Sequence, residues 1–354
     1  MALLILPYEI LENLSNQVST INTSRKQGNI NSVGLVMNDM LEALNDLVSR
    51  SYDQYTNLEL EDATMDDYDI NSTFQERVTV KDIVRANQLV GSLLVRMISG
   101  ELLVGDDQDD ERMEQAAKLL AHMSGRGAAG ALTRTWHFPF LDANGDLDQL
   151  LIKLHEPSYI GNDIGFKTWG AAPLLAKKLL QQNIIPDLQH RNVLELGTGT
   201  GLVGLVCEKI KGKDALGQVI VTDYHPSVLK NVAINVELNN SSCQVSKLDF
   251  IQVANAPEET EWKDKKYSVV IASDLLYEME HAEYLPIAVE KLMENDFYFM
   301  IPLRDTHWNE VNRFEEKMEQ VGLFQRVVKD KEIQEDEGVV RYRYYEYSRK
   351  AVVV

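Results

Sequence analysis

Val193-Leu-Glu-Leu-Gly-Thr-Gly-Thr-Gly-Leu-Val-Gly-Leu-Val206 runs from a strand-forming apolar segment through closely spaced glycines into an apolar helical pattern. A strand, a tight turn and a helix N-terminus, in that order, make a receptor for a nucleotide-like ligand. Two spacings overlap in it. Gly197-x-Gly199-x-Gly201 reads as an S-adenosylmethionine turn, whereas Gly199-x-Gly201-x-x-Gly204 fits the dinucleotide fingerprint. The stretch alone leaves methyl transfer and hydride transfer both open.

Outward from the turn the pattern alternates. Apolar runs predict strands at 192–196, 218–222, 243–248, 267–273 and 297–303, with helices at about 201–211, 226–239, 281–294 and 307–321. Such alternation implies a parallel sheet covered by helices on both faces. The last two runs, Phe324 to Lys329 and Val339 to Tyr347, are joined by acidic residues without a helix, which predicts an antiparallel hairpin at the sheet edge. A dehydrogenase would more often repeat a second mononucleotide-binding half. Upstream, Thr133 to Leu141 and Gln149 to Leu154 flank Asn144-Gly145, a hairpin signal, and a helix is expected from about Ala172 to Gln182.

Residues 1–130 differ in character. Helical periodicity is visible at Val33 to Val48, Val80 to Leu103 and Glu111 to Met123, and the acidic runs Glu61 to Asp69 and Asp106 to Asp110 read as solvated linkers. The glycine-rich Ser124 to Gly130 reads as a linker to the rest. The expected organisation is a helical, acidic N-terminal region over 1–130, then an α/β domain over 131–354 with a leading hairpin at 133–154. Of the net charge of −20, residues 1–150 carry −13 and residues 151–354 carry −7. That balance argues against phosphate-backbone binding as the main task. The readings of the acidic front half are solubility and attraction of a basic protein partner.

No apolar run approaches the roughly 20 residues that cross a bilayer, and Met1 to Pro7 makes a poor signal peptide. Cys207 and Cys243 are the two cysteines, without metal-ligand spacing, so a reducing, cytoplasmic setting is expected. The seven histidines are scattered, with no HExxH and no Cys/His cluster, and no GxSxG elbow is present. No metal site is expected.

Several residues fall where chemistry is done in such a sheet. Gly197, Gly199 and Gly201 let the backbone come close to a ligand, and Glu195 ends its strand beside the ligand's amino-acid end. Asp223 closes Val219 to Asp223 about 20 residues on, where a carboxylate accepts from both ribose hydroxyls; the alternative is that it caps the following helix. Asp249-Phe250 lies just past the next strand, where an acid meets the adenine amino group and a ring stacks on adenine. Core packing is the alternative for Phe250, as it is for Trp169 in Thr168-Trp-Gly170. Asp274-Leu-Leu-Tyr277 discriminates between the two chemistries. It follows Val269 to Ser273, so its side chains emerge at the carboxyl edge of the sheet. An acid with a tyrosine three residues on can hydrogen-bond an amine and wall a methyl channel, and a neutral amine is what methylation needs, since free lysine has a pKa near about 10.4. A helix-capping acid and an ordinary buried tyrosine form the competing reading.

Gly165-Phe-Lys-Thr-Trp-Gly170, Val193 to Gly204, Asp249-Phe250 and Ser273-Asp-Leu-Leu-Tyr277 together resemble the family-16 methyltransferases, the seven-β-strand protein-lysine methyltransferase group. The likeness covers roughly residues 150–354. Leu154-His-Glu-Pro157, Gly165 to Gly170 and Ile301-Pro-Leu-Arg304 look like the fungal branch acting on elongation factors 2 and 3. The resemblance implies an α/β, Rossmann-like seven-strand sheet with a helical N-terminal extension. It implies S-adenosylmethionine contacts at Trp169, Gly197, Thr198, Gly199, Asp223, Phe250 and Ser273, with Asp274 and Tyr277 bordering the substrate lysine. Two departures stand out, Phe250 where the family often has tryptophan and Ser273 where it has alanine.

The expected function is therefore S-adenosylmethionine-dependent protein-lysine N-methylation of a translation elongation factor, elongation factor 2 and with it 3. Expected partners are protein alone, with neither nucleic acid nor membrane. The competing readings are methylation of another protein or of a histidine, and a non-catalytic S-adenosylmethionine-binding module.

Overall fold

A computed structural model describes residues 14, 16–24, 26–27, 30–49, 80–102, 105–123, 131–142, 144–157, 167–212, 215–304, 306–335 and 338–349. The acidic run at 61–69, the glycine-rich 124–130 and Gly165-Phe166 lie outside them. By contacts the chain divides into two units, Met1–Asp53 with Leu58–Leu150 and Pro157–Tyr159, and Gln54–Asn57 with Leu151–Glu156 and Ile160–Val354.

In the second unit, strands β3 (Val193–Leu196), β4 (Val219–Asp223) and β6 (Tyr267–Ser273) are buried nearly throughout. Such burial is what parallel pairing produces, since its helical crossovers cover both faces of the sheet. The seven-stranded sheet runs β5-β4-β3-β6-β7-β9-β8, where β5 is Gln244–Lys247, β7 Met293–Leu303, β8 Phe324–Glu335 and β9 Gly338–Ser348. Strands β5, β4, β3, β6 and β7 are parallel; β9 then pairs antiparallel with β7, and β8 with β9 at the edge. Val193 sits opposite Val219 on one side and Val269 on the other, so the order reverses at β3. Beyond the carboxyl ends of β3 and β6, neighbouring connections depart in opposite directions and leave a crevice.

The crossovers are α4 (Ala171–Gln182), which leads into β3, then α5 (Leu202–Lys211), α6 (Pro226–Leu238), α7 (Phe250–Asn255), α8 (Met279–Leu292) and α9 (Trp308–Gln320). Sequence periodicity misses α7, which at six residues is too short to show a face; its signal is chemical, because Asp249 accepts from the Ile251 and Gln252 N–H groups as an N-cap. Strand β7 begins at Met293, directly after α8, four residues before the expected start. The C-terminal hairpin is fastened by aromatic packing. The Phe299 ring lies 5.2 Å from Phe314 of α9 and 6.1 Å from Tyr345 of β9, all three fully buried. The Tyr345 hydroxyl donates to Glu315 at 2.7 Å, so its polar end is satisfied.

The first unit holds helices α1 (Ile30–Ser49), α2 (Val80–Ile98) and α3 (Asp109–Met123) around Met37, Met40, Leu44, Leu94, Met97 and Ala116. The acidic run at 106–110 is more than a solvated linker. Arg112, 3% exposed, binds Asp106 at 2.7 Å, Asp109 at 3.1 Å, Gln108 at 2.9 Å and Asn38 of α1 at 2.9 Å, so two of the acids anchor a buried guanidinium. Strands β1 (Leu132–Leu141) and β2 (Leu147–Glu156) form a two-stranded sheet whose loop carries Gly145 at φ +83°, as the Asn-Gly signal anticipates. No helix among the described residues is long and apolar enough to cross a membrane.

Phe314 touches Phe299, Tyr345 and Tyr347 at once. Phe314→Ala should therefore cost about 3–5 kcal/mol of unfolding free energy, measured by urea denaturation.

Candidate functional site

The carboxyl ends of β3, β4 and β6 deliver the expected residues to one edge. The turn after β3 is built around a buried acid: Glu195, 1% exposed, accepts from the Thr198 hydroxyl at 2.5 Å and from the Gly204 N–H at 3.0 Å through the same oxygen, Oε2. Gly197, Gly199 and Gly201 have φ of +58°, +56° and +88°, the left-handed region that glycine enters without strain. They differ in what surrounds them. A Cβ on Gly197 would collide with the Leu275 side chain, whereas one on Gly199 would meet open space. A Cβ on Gly204 would strike Val221 and come within 2.6 Å of Glu195 Oε2, so Gly204 is a packing glycine of helix and strand.

Asp223 is buried and faces this turn. Its Oδ2 receives the Gly199 N–H at 3.4 Å and its Oδ1 the His225 N–H at 3.1 Å. Burial pushes its carboxyl above the usual range despite these donors. Asp249 spends Oδ1 on capping α7, at 2.9 and 3.2 Å. Phe250 is 9% exposed, belongs to the core of the sheet unit, and meets the His281 ring edge-on at 5.6 Å. Trp169 is half-buried just before α4, with the Lys167 ammonium 3.7 Å above its ring. Ser273 ends β6, buried.

Asp274 follows at φ +54°, a conformation that aspartate tolerates better than most residues. Its backbone N–H bonds Met300 O of β7 at 3.0 Å, and its Oδ2 accepts the N–H of Ala171, the first residue of α4, at 2.9 Å. The carboxylate thus sits at the positive end of a helix. Tyr277 is half-buried three residues on; burial first, then the nearby Asp274, push its phenol well above the ordinary value.

Three supports of the site carry no site role in the sequence reading, Arg304 entering there only within the motif Ile301 to Arg304. His281 Nδ1 accepts the Tyr277 N–H at 3.3 Å, and its ring lies 6.0 Å from Tyr277, so it stands between Tyr277 and Phe250. The i, i+4 spacing from Tyr277 was a signal, but readable only once α8 is known to start at Met279. Arg304, after β7, lies 5.7 Å above the Tyr277 ring. Asn231 and Asn235 of α6 and its C-cap Asn239 bond the β2 backbone at Lys153 and His155. Asn235 also donates to Thr200 O at 2.8 Å, and Thr168 bonds Thr200 at 2.8 Å and Glu156 at 3.0 Å. This polar seam ties the glycine turn to the segment before α4.

The site fits an adenosyl ligand on its own geometry. It offers open space before Gly199 and a buried carboxylate whose Oδ2 has a weak backbone donor at 3.4 Å, suited to hydroxyl donors. No cluster of metal-binding side chains is found among the described residues.

Burial raises Glu195 from its ordinary 4.5 to about 8. Its native form holds a proton that the unfolded chain loses above about pH 4.5, so its stabilising contribution is full below that pH and is lost as pH rises to about 8. Glu195→Gln, which does not ionise, should gain stability relative to the unsubstituted protein as pH rises from about 5 to 8, with a constant difference above; urea denaturation at stepped pH measures it.

A family model described as lysine methyltransferase matches residues 147–321, from β2 through α9. The protein-lysine N-methyltransferase rrg1 of Schizosaccharomyces pombe is 31% identical over 266 residues, spanning 71% of this chain and 81% of that protein. The protein-lysine N-methyltransferase EFM2 of Saccharomyces cerevisiae is 26% identical over 265 residues, 68% of this chain and 59% of its own length. EFM3 of Chaetomium thermophilum, named likewise, is 27% identical over 197 residues, 52% and 56% of the two chains. The glycine turn, the acid that ends β4 and the Asp274–Tyr277 loop all lie inside the matched region, and the chain belongs to the lysine methyltransferase family as an S-adenosylmethionine-dependent enzyme.

Proposed function

We propose that this protein methylates a lysine of a translation elongation factor, elongation factor 2 and with it 3. The observation that carries the reading is Asp274 and Tyr277 at the carboxyl end of β6, beside the glycine turn that Leu275 packs against. The named protein-lysine N-methyltransferases among the relatives support a protein acceptor, and the motifs Leu154 to Pro157, Gly165 to Gly170 and Ile301 to Arg304 support the elongation-factor branch.

Gly197, Thr198, Gly199 and Gly201 would hold the methionine and ribose portions of the cofactor, with Glu195 beneath its amino-acid end. Asp223 would take the ribose hydroxyls, Asp249 and Phe250 would border adenine, and Trp169 and Ser273 would close the sides. When bound, S-adenosylmethionine supplies an electrophilic methyl group: the amine lone pair forms the N–CH3 bond as the S–CH3 bond breaks and its electron pair stays on sulfur. The chain's own task is positioning. A lysine ammonium must lose its proton to solvent before it reacts, and the site must then hold the amine in line with the methyl group. Asp274, fixed by Ala171, accepts from the amine, and Tyr277 walls the channel. The acidic N-terminal region serves to dock a basic protein surface, and the enzyme works in the cytoplasm.

Labelled S-adenosylmethionine incubated with the protein and purified elongation factor 2 should place label on lysine, located by mass spectrometry; absence of label with intact cofactor binding would refute the assignment. Asp274→Asn should lower turnover by about 100-fold or more, with cofactor affinity held within about threefold. Asp223→Asn should weaken S-adenosylhomocysteine binding by at least about tenfold, through loss of charged hydrogen bonds; calorimetry on both variants separates the two roles.

A further inference from the structure

Tyr277 is addressed from every side by charge. Asp274 on its own loop and Asp223 at the end of β4 act to keep its phenol protonated, and the Arg304 guanidinium opposes them from the end of β7. His281 of α8 bonds its backbone, and burial holds that imidazole neutral, against the pull of Glu278 and Glu280. The guanidinium carbon lies 5.7 Å from the centre of the Tyr277 ring, within cation–π range. Two carboxylates beside a lysine channel would, unopposed, favour the ammonium form of an incoming lysine. That form has no lone pair to receive a methyl group.

We propose that Arg304 is a positioning residue for the methyl acceptor: stacked on Tyr277, it fixes the channel wall and places a permanent positive charge there, which shifts the incoming lysine toward the neutral amine. Arginine suits this task because its guanidinium is planar for stacking and stays charged at any working pH. Nothing in the chemistry requires Arg304 to touch the amine; it acts through Tyr277 and through its charge. The inference rests on the lysine-acceptor reading above.

The test is the pH dependence of kcat with purified elongation factor 2 at saturation, because kcat reports the groups of the enzyme–substrate complex. In Arg304→Gln the acid limb should move up by about one pH unit, so the loss approaches about tenfold on the acid side of the limb and fades on its alkaline side. Arg304→Lys keeps the charge without the planar stack, and its limb should stay at the wild-type position while kcat falls modestly. S-adenosylhomocysteine affinity, read by calorimetry, should stay within about twofold in both, which also verifies that each variant is folded. An equal loss at every pH in Arg304→Gln, no loss, or a limb in Arg304→Lys displaced as far as in Arg304→Gln would overturn the proposal. A wild-type enzyme that methylates no lysine would overturn the function reading and this inference with it, whereas an active wild type with an unmoved limb would overturn the inference alone.

Discussion

One carboxyl oxygen organises the edge of this sheet. Glu195 Oε2 receives both the Thr198 hydroxyl and the Gly204 N–H, which bends the chain from β3 into α5 around a buried acid. The bend requires left-handed backbone at Gly197, Gly199 and Gly201, and it requires no side chain at Gly204. Burying an acid is unfavourable unless it is hydrogen-bonded or protonated, and both conditions are met here. The turn in turn points the Gly199 N–H at Asp223, so the two ends of the proposed adenosyl site are set by one local network.

A second set of bonds ties this turn to the Asp274–Tyr277 loop. Leu275 fills the space that a side chain on Gly197 would need, and Asp274 spends one oxygen on the N-terminus of α4. The Asp274 N–H is held by β7, and Arg304 from the end of β7 returns to stack on Tyr277. Connections from β6 and β7 and the start of α4 therefore meet at one loop. A shift in any of them moves the carboxylate, which explains how a site with so little acid–base machinery holds its geometry. Positioning is the larger part of catalysis when the cofactor carries the reactive group.

Much of this was legible in the sequence because burial writes it there. Strands covered on both faces read as apolar runs, and turns that need positive φ read as glycine. The order of β3 to β7 and the antiparallel finish follow from those runs, and so does the placement of Asp223 and Asp274 at strand ends. The remainder is long-range or polar. Asn231, Asn235 and Asn239 read as an ordinary wet helix face, since nothing local says that β2 will lie against them. Asp106 and Asp109 read as solvated charge because their partner, Arg112 of α3, is an arginine whose burial depends on α1. The overlapping glycine spacings were decided by residues 70 positions away. Elements as short as α7, under two turns, have no period to detect.

The most direct measurement is a crystal structure of the protein with S-adenosylhomocysteine and a lysine-bearing substrate segment. The ribose hydroxyls should lie within hydrogen-bond distance of Asp223, the sulfur should face the Asp274–Tyr277 loop past Gly199, and the lysine nitrogen should approach that sulfur between Asp274 and Tyr277. A cofactor seated away from the carboxyl ends of β3 and β4, or a lysine reaching the sulfur by a path that avoids Asp274 and Tyr277, would contradict the account.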